Sequence, residues 1–304
     1  MSMSQEGSSV VSKTDNNLCS ADSIKSWEVE QIPEFSAWSA LKDEYSFGYG
    51  HKSSLPFKIL GTHADDMRCH PHVLSPPLME SLQNFLPESR MADNYWLKYS
   101  MVRDGASLHT LLRSVRGSQS TILAIETTDG QVFGSYTSTP WRKTWGYFGN
   151  GECFVWKMRK SRNTKCYSIL EQARLETEIE VFTNSGKNDC FQACNDNMIA
   201  IGGSVSSSTT NCVTDETYSG FSIALTNDLA QGTSSPCSTF NSPCLTNNSA
   251  DIGSVFEILN VEIYSFTPFD KEGDAERNEL MKMYIDDQSD LSMFNILIGS
   301  RKSS

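Results

Sequence analysis

The chain has 304 residues, 38% of them hydrophobic, and a formal charge of −12. That field repels a phosphate backbone, which excludes a general nucleic-acid binder, and no stretch approaches the roughly 20 apolar residues that span a bilayer, so direct membrane insertion is not expected. The N-terminus lacks a basic start followed by an apolar core, so secretion is not expected; the cytoplasm is the expected compartment and the nine cysteines are expected to be thiols.

Residues 1–35 are rich in Ser, Asp, Asn and Glu and are expected to be disordered, because they cannot bury enough apolar surface to offset chain entropy. Residues 36–73 scatter Tyr45, Phe47, Tyr49 and Phe57 among glycines and read as an irregular arm lying on a domain over 74–268. That domain opens with a helix. Ser75 can cap it, Pro76 and Pro77 occupy its first turn, Leu78, Leu82, Phe85 and Leu86 share a face, and Pro87 stops it. "YWLKYSMV" is a strand, Asp104-Gly105 turns the chain, and Ser107 caps a second short helix carrying Leu108, Leu111 and Leu112.

β structure then dominates. "TILAIE" and "QVFGSY" flank Asp129-Gly130, a strong hairpin signal. "CFVWKM", "EIEVF", "NMIAIGG", "FSIAL" and the long "VFEILNVEIYSF" are further strands, with a Ser/Thr-rich loop between Gly203 and Gly220. Helices early, strands later and no βαβ alternation predict an α+β, mainly β fold: an antiparallel sandwich with a few short flanking helices. Residues 269–304 form a charged tail with a short helix around Arg277 to Tyr284.

"WGYFGNGECFVWKM" places Gly149 and Gly151 one residue apart, as a phosphate loop would. The glycines lead into Phe154, Val155 and Trp156, a strand run and not a helix start, so the pair reads as a strand-entry turn. Glu152 reads as part of that turn. G-x-S-x-G, S-x-x-K, H-E-x-x-H and the phosphate-loop pattern are absent. His109 has no assignable nucleophile beside it. "THADDMRCHPH" gathers His63, Asp65, Asp66, Cys69, His70 and His72, ligand types for a metal but in no closed zinc spacing. Cys190 and Cys194 read as small apolar residues, and "KMRKSRNTK", with Arg159, Lys160 and Arg162, reads as a solvated turn open to an acidic partner. With no catalytic constellation, neither enzymatic activity nor a cofactor is expected.

The order of these segments resembles the TLDc domain, the module of the oxidation-resistance proteins and of nuclear-receptor-coactivator relatives. The resemblance covers about 190 residues. It is carried by "YWLKYSMVRDGASLHTLLR" with Asp104 and Gly105, and by "QVFGSY" with Phe133 and Gly134. "YFGNGECFVW" adds Gly149, Gly151, Glu152 and Phe154, and "MIAIGG" adds Gly202 and Gly203. "FSIALTNDLAQGTSSPCSTF" comes next with Asp228, Leu229, Gly232, Ser234, Cys237, Thr239 and Phe240, and "FEILNVEIYSF" closes with Glu262. Tyr264 stands where the family commonly has tryptophan, and the loop after Gly203 resembles an insertion.

The resemblance implies a β-sandwich and a monomeric, non-enzymatic protein partner in oxidative-stress resistance. It also implies binding to subunits of the vacuolar-type proton-pumping ATPase, with no catalytic residues to carry over. Two chemical alternatives stand beside it. One is a thiol antioxidant acting through exposed cysteines such as Cys153 or Cys237, and the other is a metal-binding arm at Cys69, His70 and His72.

Overall fold

The computed structural model describes residues 56–62, 72–203, 220–246 and 254–285. The segment taken as disordered, most of the arm, and Cys69 and His70 lie outside these residues.

Strands β1 (Ile59–Leu60), β2 (Asn94–Ser100), β3 (Thr121–Thr127), β4 (Val132–Thr137), β5 (Phe154–Met158) and β6 (Ile179–Thr183) come first. β7 (Gln192–Cys194), β8 (Met198–Ile201), β9 (Ile223–Thr226), β10 (Gln231–Ser234) and β11 (Ser254–Thr267) complete the set. The order is β6-β5-β4-β3-β11-β10-β9-β8-β7, with β2 also on β11 and β1 on β2. All these pairings are antiparallel except β1 on β2.

β11 belongs to two sheets. Its first four residues pair with β10, while Ile258–Ser265 pair with β3 and Glu262–Thr267 with β2. Its burial records the passage. Val255, Glu257 and Leu259 alternate with buried neighbours, and from Asn260 to Ser265 every residue is buried. Alternation means one covered face and continuous burial means two. The expected mainly β sandwich is what the structure shows.

One core lies between the sheets, where Leu123, Ile125, Phe133 and Val155 meet Ile199, Ile223, Leu225 and Phe256. A second lies on the opposite face of the first sheet, where Ile122, Ala124, Tyr136, Phe154 and Trp156 meet Leu78, Met79 and Leu82. Those last three belong to helix α1 (Pro76–Gln83), where Ser75 accepts from the Leu78 amide, as expected. A one-turn helix α2 (Met101–Asp104) precedes α3 (Leu108–Ser114), capped by Ser107. α4 (Ile169–Thr177) is a helix not expected from the sequence; it packs beside α1 and is capped by Ser168. β3 can be buried along its whole length because α1 and the second sheet cover its two faces.

The tail helix α5, residues 272–285, is longer than expected. It lies on β2. Glu272 accepts from the Trp96 indole (3.3 Å), and Glu279 pairs with Lys98 (2.7 Å) and accepts from Ser118 (3.0 Å). Lys98 in turn stands over the Trp96 ring at 3.4 Å.

Candidate functional site

The Asp129-Gly130 turn of the β3–β4 hairpin positions a buried arginine, Arg162. Ser161 donates to the Asp129 carbonyl (2.8 Å) and the Arg162 amide donates to the Gly130 carbonyl (2.8 Å), so the loop after β5 is pinned to the hairpin. Arg162 is thereby directed inward. The expectation that its basic run is a solvated turn holds for Arg159 and Lys160, which pair at the surface with Glu180 and Glu178, and fails for Arg162.

Arg162 donates to Glu126 of β3 (2.8 Å), to Glu176 of α4 (3.3 Å), and to the carbonyls of Val73 (2.7 Å) and His72 (3.4 Å). Glu262 of β11, fully buried, faces the same segment. Its Oε1 is 2.8 Å from His72 Nδ1, and its Oε2 accepts from the Leu74 amide (3.2 Å) and the Tyr264 hydroxyl (3.0 Å). Three carboxylates, one guanidinium and one imidazole therefore join β3, β11, α4, the loop after β5 and the segment entering α1.

Burial pushes the Glu126 carboxyl above its ordinary range, and the Arg162 charge offsets only part of that. For Arg162, burial disfavours the cation, but Glu176 and Glu126 outweigh it and carry the guanidinium above its usual value. Such a cluster depends on its cation, because removing Arg162 leaves buried carboxylates unpaired. Two further polar atoms share its face. Asn260 is opposite Glu126, and Ser100 is opposite Glu262; Asn260 Oδ1 and Ser100 Oγ are buried without a hydrogen-bond partner among the described residues.

The other family-motif residues fall into separate places. Asp104 accepts from the Ser100 amide (2.9 Å) and from Arg103, and Gly105 comes next with a φ of 86°. Phe133 meets Phe256 edge-on, and a Cβ on Gly134 would stand 1.9 Å from the Leu123 carbonyl oxygen. Gly149 and Gly151 lead into β5 as a strand-entry turn, and Phe154 stacks on Tyr136. Glu152 is exposed, and its amide donates to Asn150 Oδ1 (3.1 Å).

Gly202, Gly203, Cys237, Thr239 and Phe240 come together at one end of the second sheet. Thr239 accepts from the Gly203 amide (3.0 Å) and lies 2.8 Å from Asn188 Oδ1. Asp228 accepts from the Thr226 hydroxyl and the Ala230 amide, which hold its carboxyl below the usual range. A Cβ on Gly232 would meet the Phe256 ring, and Ser234 ties Ser222, just before β9, to the loop at Leu245.

Cys153 and Cys237 are not exposed. They are 2% and 3% accessible because both point into the core between the sheets, and burial pushes the Cys153 thiol up to about 12. His72, one of the three proposed metal ligands, has Nδ1 engaged by Glu262, and no grouping of three metal-binding side chains occurs among the described residues. No described helix is long and apolar enough to cross a membrane.

The fold and the closed charge cluster define a class: a two-sheet sandwich whose buried ionic groups lock its elements together. The TLDc domain family model matches residues 68–267, about two thirds of the chain, and the chain belongs to that family. It is similar to oxidation resistance protein 1 of Podospora anserina, 27% identical over 238 residues that cover 69% of this chain and 64% of that protein. It is also similar to oxidation resistance protein 1 of Bos taurus (30% over 196 residues, 64% of this chain and 18% of that protein). The protein of that name in Yarrowia lipolytica is 26% identical over 209 residues, covering 66% and 77%. The chain thus spans under two thirds of the Podospora relative and less than a fifth of the bovine one.

Proposed function

We propose that this chain is a non-enzymatic interaction module of the cytoplasm. As a monomer it serves oxidative-stress resistance by binding subunits of the vacuolar-type proton-pumping ATPase. The observation that carries this reading is the TLDc match over residues 68–267, with relatives named for oxidation resistance. The arrangement of charge supports it. Arg162 is engaged with Glu126, Glu176 and backbone, and Glu262 with His72, Tyr264 and the Leu74 amide, which leaves the outer surface to meet a partner. A protein that binds one assembly state of the pump better than another shifts its assembly by that difference in affinity.

The test is ATP hydrolysis by a purified vacuolar-type pump with and without this protein, scored for assembly by native electrophoresis. A saturable change in rate or assembly is expected. No change at concentrations well above the pump's removes the pump from the reading.

A further inference from the structure

We infer that Glu126 takes up a proton on mild acidification and so frees Arg162 for the carbonyls of His72 and Val73, holding the segment that enters α1 more tightly below neutral pH. The inference is independent of any partner.

The geometry carries it. At neutral pH the Arg162 guanidinium divides its N–H groups between two carboxylates and two carbonyls. Nη1 serves Glu126 (2.8 Å) and His72 (3.4 Å), while Nη2 serves Val73 (2.7 Å) and Glu176 (3.3 Å). The longest of these bonds, to the His72 carbonyl, shares its donor with the shortest carboxylate contact. Neutralising Glu126 weakens its hold on Nη1 and lets that N–H move onto the carbonyl.

Among the charged groups facing Glu126, the acidic ones favour its protonation. These are Glu176 on α4 and Glu262 on β11, while only Arg162 favours the carboxylate. His72, on the segment itself, faces Glu262 and not Glu126. Protonation of Glu126 leaves two carboxylates beside the Arg162 cation in place of three, which is nearer to balance. Burial of the Glu126 side chain acts in the same sense. Asn260, opposite Glu126 in the register of β11 on β3, has an Oδ1 lacking a partner among the described residues, an acceptor suited to a neighbouring carboxylic O–H and not to a carboxylate.

The reporter is built in, because the Leu74 amide donates to Glu262 at the same seam. Hydrogen exchange of the peptide over residues 73–79 in the full chain, normalised to intrinsic rates at about pH 7.5 and about pH 5.5, tests the inference, because a carboxyl raised by burial takes up its proton at a higher pH than a free one. Infrared difference spectra over the same interval, recorded on the same protein, report the buried carboxylic acid.

Protection is expected to rise on acidification by up to about tenfold for each pKa unit that separates the closed from the opened segment. A buried carboxylic band should emerge with it. Glu126→Gln, a permanent mimic of the neutral acid, should be protected equally at both pH values and lack the band. Protection that is flat or falls on acidification overturns the inference, and so does a rise that survives unchanged in Glu126→Gln, which would place the proton elsewhere. If Glu126→Gln does not fold, the unsubstituted protein still decides, since absence of the band overturns it.

Discussion

Gly202 lies against Cys237 so closely that a Cβ built on it would stand 2.5 Å from Sγ, with the Phe240 ring 3.1 Å away. Its φ of 78° also belongs to the left-handed region that side chains resist. Gly202→Ala is therefore expected to destabilise the domain by about 2–4 kcal/mol, the sum of left-handed strain and overpacking. Urea unfolding followed by circular dichroism measures it. A loss below about 1 kcal/mol would mean that Cys237 and Phe240 move aside freely.

Arg162 is the residue whose loss should be felt most widely. Arg162→Leu strands Glu126 and Glu176 and is expected to lose about 3–5 kcal/mol. Arg162→Lys keeps the charge but cannot reach two carboxylates and two carbonyls with one planar fork, so it should recover less than half of that loss. Comparing the two unfolding curves separates charge from geometry.

The thiols should react in an order set by their surroundings. Burial works against ionisation at Cys244, yet hydrogen bonds at Ser254, Thr246 and Ser234 bring its thiol below the usual value, and it is only half-buried. Cys153, at about 12, is overwhelmingly protonated at about pH 8. Iodoacetamide labelling of the native protein, read by mass spectrometry, is expected to mark Cys244 well before Cys153 or Cys237. Equal rates at these three would mean that labelling depends on unfolding.

Cys153 also implies a dependence of stability on alkaline pH. Its folded-state value lies above the unfolded one, so the unfolded chain releases the proton first. Stability should decline as pH rises from about 9 towards 12, and this decline should shrink in Cys153→Ala. Denaturant midpoints across that interval report it; identical slopes in the two proteins would remove Cys153 as the cause.

α5 is held to β2 largely through Glu279. Glu279→Ala leaves Lys98 and Ser118 without that partner and is expected to weaken docking of the helix by about 1.5–3 kcal/mol. The sandwich itself should remain, since α5 lies beyond the family-matched residues. Limited proteolysis should then gain cuts within 268–285, and a cleavage pattern unchanged from the parent would refute the role of Glu279.

The elements that were legible in the sequence are those whose causes are local. Ser75 and Ser107 cap the helices they precede, and Asp129-Gly130 turns the hairpin it was expected to turn. α4 had a local signal too: Ser168 and Glu171 stand three apart at its start, and the Glu171 amide donates to Ser168. β7 and β10 are three and four residues long and rich in polar or small side chains, so their strand character comes from neighbouring strands. The charge cluster had no such signal. Arg162 stands 36 residues from Glu126 and 90 from His72, and its basic neighbours disguise it as surface. Nor could spacing reveal that Cys153 and Cys237 point inward, which depends on the segments before β5 and after β10 meeting in the core between the sheets.

β11 has a consequence for how the domain is made. Among the described residues it is the last strand to leave the ribosome, yet β2, β3 and β10 all pair with it. Until residue 267 has emerged, the first sheet lacks its centre and the second an edge, so neither can close early. Nascent chains of this domain therefore carry one open edge on each of β2, β3 and β10 until a single late segment joins the halves at once.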